Sequence, residues 1–243
     1  MRILPTFLAI IPARGGSKGI PKKNLRLFCG KPLITYTIAE AKKSRHLSRI
    51  IVSTESDDIA RVANEYGAEV PFLRPTELAK DTSKVLDAIV HLLKELKANE
   101  GYTPDYVVLL QPTSPLRTAE DIDATIDLLL RENADSAITV SVVEPRVFIK
   151  AADGTLTLAS DERFLRSTNR QALEHTVSEN GSMVYVNRVS TLLSTGNFLN
   201  GKLVGIETPK WRSVDLDAPE DFVLGELICK HKEVIRQDIN AFK

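Results

Sequence analysis

Residues 7–24 read Phe7-Leu-Ala-Ile-Ile-Pro-Ala-Arg-Gly-Gly-Ser-Lys-Gly-Ile-Pro-Lys-Lys-Asn24, an apolar run followed directly by a basic, glycine-rich loop. The apolar run predicts a buried strand, and ligands in open α/β sheets bind beyond the carboxyl ends of strands. Glycines let backbone N–H groups approach phosphate oxygens, and basic side chains neutralise a triphosphate. The loop's candidates for that second role are Arg14, Lys18, Lys22 and Lys23. The alternative is a solvated basic loop without a ligand.

Charge and motif spacing narrow the kind of ligand. Lys and Arg total 32, as do Asp and Glu, yet seven of the basic residues fall within residues 1–39, which contain no acid. A charge focused in one short segment favours a small polyanion over a nucleic acid, which needs a broader basic face. The loop has neither the Gly-Lys-Ser/Thr of a Walker A motif nor the G-x-G-x-x-G of a dinucleotide site. P-loop ATPases and Rossmann dehydrogenases are therefore disfavoured.

Apolar runs and helix-period segments alternate along the first half of the chain. Residues 50–52 and 106–110 have the composition of buried strands, and apolar residues recur at helical spacing between and after them. Ser56 and Thr118 stand at expected helix N-caps, and Asp121 follows Thr118 at capping-box spacing. This alternation predicts an α/β protein with a three-layer α/β/α nucleotide-binding fold, a mainly parallel sheet and helices on both faces.

The pattern becomes less regular in the second half. The elements expected there are a strand at 138–143, a hairpin at 147–158 around Asp153-Gly154, strands at 183–186 and 203–206, and a helix from Pro219 to about residue 237. Residues 159–180 are polar with little periodicity. We therefore expect a single domain, 1–243, with a small inserted subdomain at 144–188.

The remaining composition indicates a protein of the cytoplasm. Cys29 and Cys229 are too few for a disulfide framework or a zinc cluster, and we expect them to be reduced packing residues. No run of 18 apolar residues occurs, so no membrane span is expected. The first residues lack the pattern of a secretory signal.

Five segments follow one another as a set of motifs. They are Ile11–Asn24, Arg74-Pro-Thr-Glu-Leu-Ala-Lys-Asp-Thr-Ser83, Leu109-Leu-Gln-Pro-Thr-Ser-Pro-Leu-Arg117, Glu179-Asn-Gly-Ser182 and Ser213-Val-Asp-Leu-Asp217. Together they resemble the motifs of the acylneuraminate cytidylyltransferases, the CMP-sialic acid synthetases. The resemblance implies transfer of CMP from CTP to the anomeric hydroxyl of a nine-carbon 2-keto acid sugar, with release of pyrophosphate. It also implies Mg²⁺ as cofactor and a homodimer formed through the insertion.

The resemblance assigns roles around the first loop. It places Arg14 and Lys23 at the CTP phosphates, with Lys23 as a catalytic residue, and Asn24 nearer the ribose. Asn24 could instead cap the segment that follows it. Gln111 ends a buried strand at the carboxyl edge of the sheet, where its amide could recognise sugar hydroxyls.

The resemblance also assigns roles further along the chain. Arg74 and Ser83 match positions used around the nucleotide; the alternatives are an exposed arginine and a serine that caps the following helix. Arg170, in the insertion, becomes the candidate catalytic arginine, which would hold the sugar carboxylate or stabilise charge at the transferred phosphate. Because the family's insertion reaches the partner's site, Arg170 could act on the other subunit.

Two carboxylates near the end of the chain suit a metal. Asp215 and Asp217 flank Leu216, so both face one side of an extended segment. Mg²⁺ is commonly bound by one or two carboxylates together with substrate phosphates and water. Asp217 also fits the N-cap of the last helix, with Glu220 at the N3 position. As a catalytic residue, Asp217 is our preferred acceptor for the proton of the sugar hydroxyl.

Other functions remain open on these residues. The sugar could be N-acetylneuraminate, legionaminate or another nonulosonic acid, and a KDO cytidylyltransferase is less consistent with the loop. A metal-dependent glycosyltransferase of nucleotide-sugar fold would also use an Asp-x-Asp pair, but nearer the middle of the chain. A non-catalytic nucleotide- or RNA-binding protein would explain the basic loop and leave Gln111, Asp215 and Asp217 without a role.

Overall fold

A computed structural model describes residues 4–17, 19–160, 175–181 and 183–242. The strands are β1 (Phe7–Pro12), β2 (Leu27–Phe28), β3 (Lys31–Pro32), β4 (Leu47–Ser53), β5 (Tyr106–Leu109), β6 (Ser136–Val142), β7 (Phe148–Lys150), β8 (Leu156–Leu158), β9 (Val177–Glu179), β10 (Tyr185–Arg188) and β11 (Leu203–Glu207). The α-helices are α1 (Leu33–Ala41), α2 (Asp57–Glu65), α3 (Val85–Glu100), α4 (Ala119–Glu132), α5 (Val189–Thr195) and α6 (Pro219–Ala241). Short 3₁₀ helices cover Lys23–Leu25, Thr76–Ala79 and Lys210–Arg212.

A seven-stranded, mainly parallel sheet forms the centre of the fold. Its order is β11-β6-β10-β5-β1-β4, and β9 pairs with β6. Strands β9 and β10 run antiparallel to their neighbours, whereas β1 is parallel to both β4 and β5. The carboxyl ends of β1, β4 and β5 therefore meet at one edge of the sheet, where the basic loop begins.

Helices cover both faces of the sheet, as the sequence predicts. Alternate residues of β1 face opposite sides: Ala9 and Ile11 pack with α1, α2 and α4, while Leu8 and Ile10 pack with α3 and α5. All four strand residues are fully buried. The predicted caps are present, since Ser56 Oγ accepts from the Ile59 N–H and Thr118 forms a capping box with Asp121. The three-layer α/β/α prediction is confirmed.

Part of the expected insertion, 144–188, joins the main sheet. The predicted hairpin is present as β7 and β8, with Gly154 at φ +90° in its turn. However, β9 and β10 also lie within 144–188 and pair with β6 or β5 of the main sheet. Their pairing places these two strands in the central layer. Residues 161–174, including Arg170, lie outside the described residues.

A separate apolar cluster holds the last helix against the basic loop. It contains Ile20 from the loop, Phe28 from β2 and Phe222 from α6, together with Leu116 and Leu216. Gly225 allows α6 to approach closely, since a Cβ there would lie 2.9 Å from Leu216 Cδ2. This cluster brings the segment with Asp215 and Asp217 beside the loop.

None of the helices in the described ranges, α6 included, has both the length and the apolar character needed to cross a bilayer.

Candidate active site

One cavity gathers most of the residues singled out in the sequence. Its volume is about 290 Å³, and it opens at the carboxyl edge of the sheet beside the loop after β1. The predicted residues that line it are Arg14, Lys23, Asn24, Arg74, Ser83, Gln111 and Asp217. Asp215 lies next to this group, and Arg170 is outside the described residues.

The loop after β1 is closed upon itself by Asn24. This residue lies in the 3₁₀ helix Lys23–Leu25, is buried, and donates its side-chain N–H to the Arg14 carbonyl over 2.9 Å. The bond spans ten residues and joins the two ends of the loop. Asn24 therefore shapes the loop in addition to lining the cavity, and its predicted contact with the ribose stays a prediction.

The glycines of the loop serve different purposes. The Gly15 N–H donates to Glu55 Oε1 over 2.7 Å, so it is not available to a phosphate. Gly19 packs against the Asp217 backbone, where a Cβ would lie 2.7 Å from the carbonyl oxygen. Gly16 lines the cavity and has open space around its Cα. The expectation that all three glycines serve phosphate oxygens is thus too broad, because only Gly16 faces the cavity. Lys18, the other loop cation, is not among the described residues.

The opposite wall of the cavity carries Arg74, Asp81 and Ser83. Arg14 Nη1 forms an ion pair with Asp81 Oδ1 over 2.7 Å, and both residues line the cavity. Ser83 does not cap α3: its hydroxyl donates to the Glu77 carbonyl over 2.7 Å, and the helix begins after Lys84 without a side-chain cap. The capping alternative for Ser83 is therefore wrong.

Arg74 is buried, not exposed. Its side chain is only 6% accessible, and Nη2 donates to Glu55 Oε2 over 3.0 Å. Burial lowers the pKa of Arg74, and Glu55 opposes that change. Buried Arg74 Nε has no hydrogen-bond partner among the described residues. A buried donor without a partner is costly, and a ligand in the cavity could supply the missing acceptor.

Gln111 is positioned by an arginine buried behind it. Arg117 Nη2 donates to the Gln111 carbonyl over 2.6 Å, and Nη1 donates to Thr37 Oγ1 over 3.1 Å. Its Nε donates to the Met183 carbonyl. Burial lowers the pKa of Arg117. Arg117 therefore supports the turn from inside the protein. Gln111, Pro112 and Thr113 are the residues of this motif that line the cavity.

Asp217 pairs with the loop and not with its helix. Its Oδ1 lies 2.9 Å from Lys23 Nζ, which also donates to the Leu216 carbonyl over 2.9 Å. Helix α6 starts at Pro219, and Asp221 at N3 accepts from the Asp217 and Ala218 N–H groups. The N-cap alternative for Asp217 is therefore wrong, because the N-cap residue is Ala218. The carboxylate of Asp217 does not cap the helix, and it is exposed.

Asp215 has a buried oxygen that lacks a partner. Its Oδ1 is shielded from solvent and makes no hydrogen bond within the described residues. Burial raises the pKa of Asp215; a hydrogen bond with Thr113 opposes the rise, and the charge of Asp217 adds to it. Gly181, at φ +72°, makes room for this side chain, since a Cβ there would lie 2.6 Å from Asp215 Cβ. A carboxylate held in this way is suited to receive a cation.

These two carboxylates fit the magnesium expected from the sequence. No cluster of three or more His, Cys, Asp or Glu side chains that could hold a metal occurs in the described part of the chain. Mg²⁺ does not require such a cluster, since it commonly keeps one or two carboxylates with phosphate and water. The unpaired oxygen of Asp215 and the exposed carboxylate of Asp217 supply such a donor set.

Two residues of the site were missed in the sequence. Glu55 joins Arg74 to Gly15 from behind the cavity wall, and Asp81 pairs with Arg14. The sequence did offer a signal for Glu55, because a carboxylate two residues beyond the end of a buried strand lies at the edge where the site forms. Asp81 stands inside a motif, but nothing in its spacing pairs it with Arg14.

Comparisons with known proteins agree with this geometry. The family model described as cytidylyltransferase matches residues 8–205. The CMP-N,N'-diacetyllegionaminic acid synthase of Legionella pneumophila is 35% identical over 231 residues, which cover 92% of this chain and 96% of that protein. The N-acylneuraminate cytidylyltransferase of Escherichia coli is 32% identical over 239 residues, which cover 98% of this chain but only 55% of that protein.

A solved structure shows the same fold. It is CMP:2-keto-3-deoxy-manno-octonic acid synthetase complexed with CTP, with a TM-score of 0.67 over 93% of this chain and 99% of that chain. Its sequence identity of 14% supports the likeness in fold alone. The extent of the family match and the identity to the Legionella protein establish more: the chain belongs to the cytidylyltransferase family.

Proposed function

We propose that this protein transfers CMP from CTP to the anomeric hydroxyl of a nonulosonic acid, a nine-carbon 2-keto acid sugar, and releases pyrophosphate. The observation that carries the proposal is the convergence of Arg14, Lys23, Arg74 and Gln111 on one cavity, with Asp217 at its rim. Cations for a triphosphate and polar groups for a base and a sugar thus share one space.

The names of the relatives support this class of sugar. The Legionella protein is a CMP-N,N'-diacetyllegionaminic acid synthase, and the Escherichia coli protein is an N-acylneuraminate cytidylyltransferase. Both names describe activation of an acid sugar by CMP. N-acetylneuraminate and a diacetylated legionaminic acid are therefore the two substrates to compare first.

The side chains of the cavity have the chemistry that the reaction needs. The sugar oxygen bonds to the α-phosphorus of CTP, the bond to the β-phosphate oxygen breaks, and its electron pair leaves with pyrophosphate. Lys23 and Arg14 would stabilise the negative charge that grows on the leaving group. Asp217 would accept the proton of the sugar hydroxyl, and Arg74 and Ser83 would hold the nucleotide. Mg²⁺ at Asp215 and Asp217 would add Lewis-acid stabilisation of the phosphates.

Turnover should require both CTP and a nonulosonic acid. Purified protein with CTP and Mg²⁺ should release pyrophosphate when a nonulosonic acid is added and not when it is omitted. In competition binding, CTP should exceed UTP, ATP and GTP in affinity by at least about tenfold, because a base that cannot pair with buried polar groups leaves them unsatisfied. Equal affinity for the four nucleotides would contradict the choice of CTP, and absence of turnover with every acid sugar would contradict the reaction.

We also propose that the protein works as a homodimer through the segment around its hairpin. Val147, Phe148, Ile149 and Leu156 expose between 44% and 64% of their surface. An isolated two-stranded sheet with exposed apolar side chains is only marginally stable in water. A second subunit that buries these side chains would stabilise it. A symmetric dimer would bury both copies of the patch. Arg170 would then reach the neighbouring active site.

Mixed dimers test whether Arg170 acts on the partner. Arg170→Ala subunits and Lys23→Ala subunits would be dissociated, mixed and reassociated. If Arg170 serves the neighbouring site, each mixed dimer contains one site with both residues intact, and random pairing then restores at most about a quarter of wild-type activity. No recovery in a preparation shown to contain mixed dimers would assign Arg170 to its own subunit. A monomer in sedimentation would contradict the dimer itself.

We place the protein in the cytoplasm. Cys29 and Cys229 are free thiols that pack against the same apolar cluster, and the Cys29 thiol donates to the Glu226 carbonyl over 3.6 Å. A reducing compartment keeps such neighbours as thiols, whereas an oxidising one favours their disulfide. Thiol titration of protein prepared under native conditions would show two free groups.

A further inference from the structure

Glu55 links two parts of the candidate active site without lining its cavity. It lies between the end of β4 and Ser56, the N-cap of α2. Oε1 accepts from the Gly15 N–H over 2.7 Å, and Oε2 accepts from Arg74 Nη2 over 3.0 Å. The residues that line the cavity include Arg74 and Gly16, the neighbour of Gly15, but not Glu55. One carboxylate therefore joins the loop after β1 to Arg74 in the cavity wall.

The charge of Glu55 is what permits Arg74 to stay buried. The side chains of Arg74 and Glu55 are 6% and 15% accessible, so each charge has little contact with water. Arg14 is close enough to disfavour the charged form of Arg74, while Glu55 favours it. Without the carboxylate, a buried guanidinium would face a second arginine with no counter-charge, an arrangement that is strongly unfavourable. Arg74 would then turn towards solvent and away from the cavity.

The contact with Gly15 fixes the loop in the same way. A Cβ at Gly15 would lie 3.2 Å from Ser56 Cβ and 3.4 Å from Glu55 Oε1. The loop backbone thus rests directly on the Glu55–Ser56 segment. Because the Gly15 N–H donates to Glu55, the orientation of the next peptide units, at Gly16 and Ser17, depends on this bond.

We propose that Glu55 is a positioning residue for CTP, which sets Arg74 and the loop at Gly15–Ser17 for binding the nucleotide while touching neither the nucleotide nor the sugar. This inference rests on the proposed function. It differs from a purely structural role, since the energy of the Glu55 contacts should be expressed in nucleotide binding and should depend on Arg74.

Glu55→Gln tests the proposal with little change in shape. One carboxylate oxygen becomes an NH₂ group, which must meet either the Gly15 N–H or Arg74 Nη2, both donors. The KM for CTP and the Kd for CTP should each rise roughly tenfold, the factor expected when a bond to a charged group is lost, with kcat changed less. Glu55→Asp keeps the charge on a shorter side chain and should give an intermediate KM. Glu69→Gln is the matched control, because it removes an exposed ion pair with Arg49 outside the cavity.

Coupling to Arg74 separates positioning from simple support of the fold. In an Arg74→Ala background, Glu55→Gln should raise the KM for CTP by no more than about threefold, because the side chain that Glu55 positions is then absent. Effects that multiply in the double variant would overturn the proposal, as would an unchanged KM in Glu55→Gln. If Glu55→Gln does not fold, Glu55→Asp must still weaken CTP binding at an unchanged melting temperature, or the proposal fails. A wild-type protein that binds no CTP would instead overturn the proposed function, whatever the variants do.

Discussion

Lys23→Ala is expected to lower kcat/KM for CTP by about 10²–10³-fold, the usual loss when one charge-stabilising donor is removed from an active site. The ammonium group of Lys23 is held at the rim of the cavity by the Leu216 carbonyl and Asp217 Oδ1, and its side chain is 15% accessible. A cation that is already in place needs no reorganisation when charge develops on pyrophosphate. Most of the loss should therefore appear in kcat.

Lys22 provides the control for this variant. It is exposed, lies next to Lys23 and does not line the cavity, so Lys22→Ala removes the same charge from the same loop. Its effect on kcat/KM should stay within about threefold, as for an exposed and screened charge. Steady-state kinetics with melting temperatures would distinguish loss of chemistry from loss of fold. A change below twofold in Lys23→Ala would mean that the loop does not act at the phosphates.

The sequence was most informative where local chemistry and position agree. The loop after β1 combines glycines, cations and a place at the carboxyl edge of the sheet, and each of these can be recognised without coordinates. Ser56 and Thr118 were recognised for a similar reason, because capping depends on residues only three positions apart. Such features are properties of a short segment.

Long-range pairing was beyond the sequence. The direction of β10 depends on its neighbours β5 and β6, which lie far away along the chain, so the patterns did not predict that it is antiparallel. The same holds for the contact between Glu55 and Arg74, since it arises only when two loops fold onto each other. Helix α1 was not predicted from the sequence for another reason. Thr35 and Thr37 are buried in it and obscure its apolar periodicity.

The N-cap of α6 lies one residue after Asp217. Asp217-Ala-Pro-Glu220 fits a capped helix start, but α6 uses Ala218 as its N-cap and Asp221 at N3. Two acceptable acids lie one residue apart, at Glu220 and Asp221, and propensity alone cannot choose between them. In the structure Asp221 takes the N3 position, and the Asp217 carboxylate pairs with Lys23.

Asp215→Asn and Asp217→Asn are expected to lose at least about a hundredfold in kcat and to require more Mg²⁺ for half-maximal rate, because each removes an anionic ligand worth several kcal/mol to a bound cation. Titration of Mg²⁺ in the pyrophosphate assay would measure both effects. Glu220→Gln is the control, since this exposed carboxylate lies close by in the first turn of α6. Full activity with an unchanged Mg²⁺ requirement in both variants would contradict the metal assignment.

Their stabilities should separate a ligand from a structural acid. Burial raises the pKa of Asp215, so its ionised form costs folding free energy at neutral pH, and this cost vanishes only as the pH falls below the raised value. Without metal, Asp215→Asn should therefore melt at or above the wild-type temperature while activity is lost. Asp217 is 73% accessible, and loss of its ion pair with Lys23 should change the melting temperature little.

Added Mg²⁺ should raise the melting temperature of the wild type and not of Asp215→Asn, because only a protein with its ligands intact gains stability from binding. A melting temperature well below wild type in metal-free Asp215→Asn would show that the carboxylate supports the fold instead.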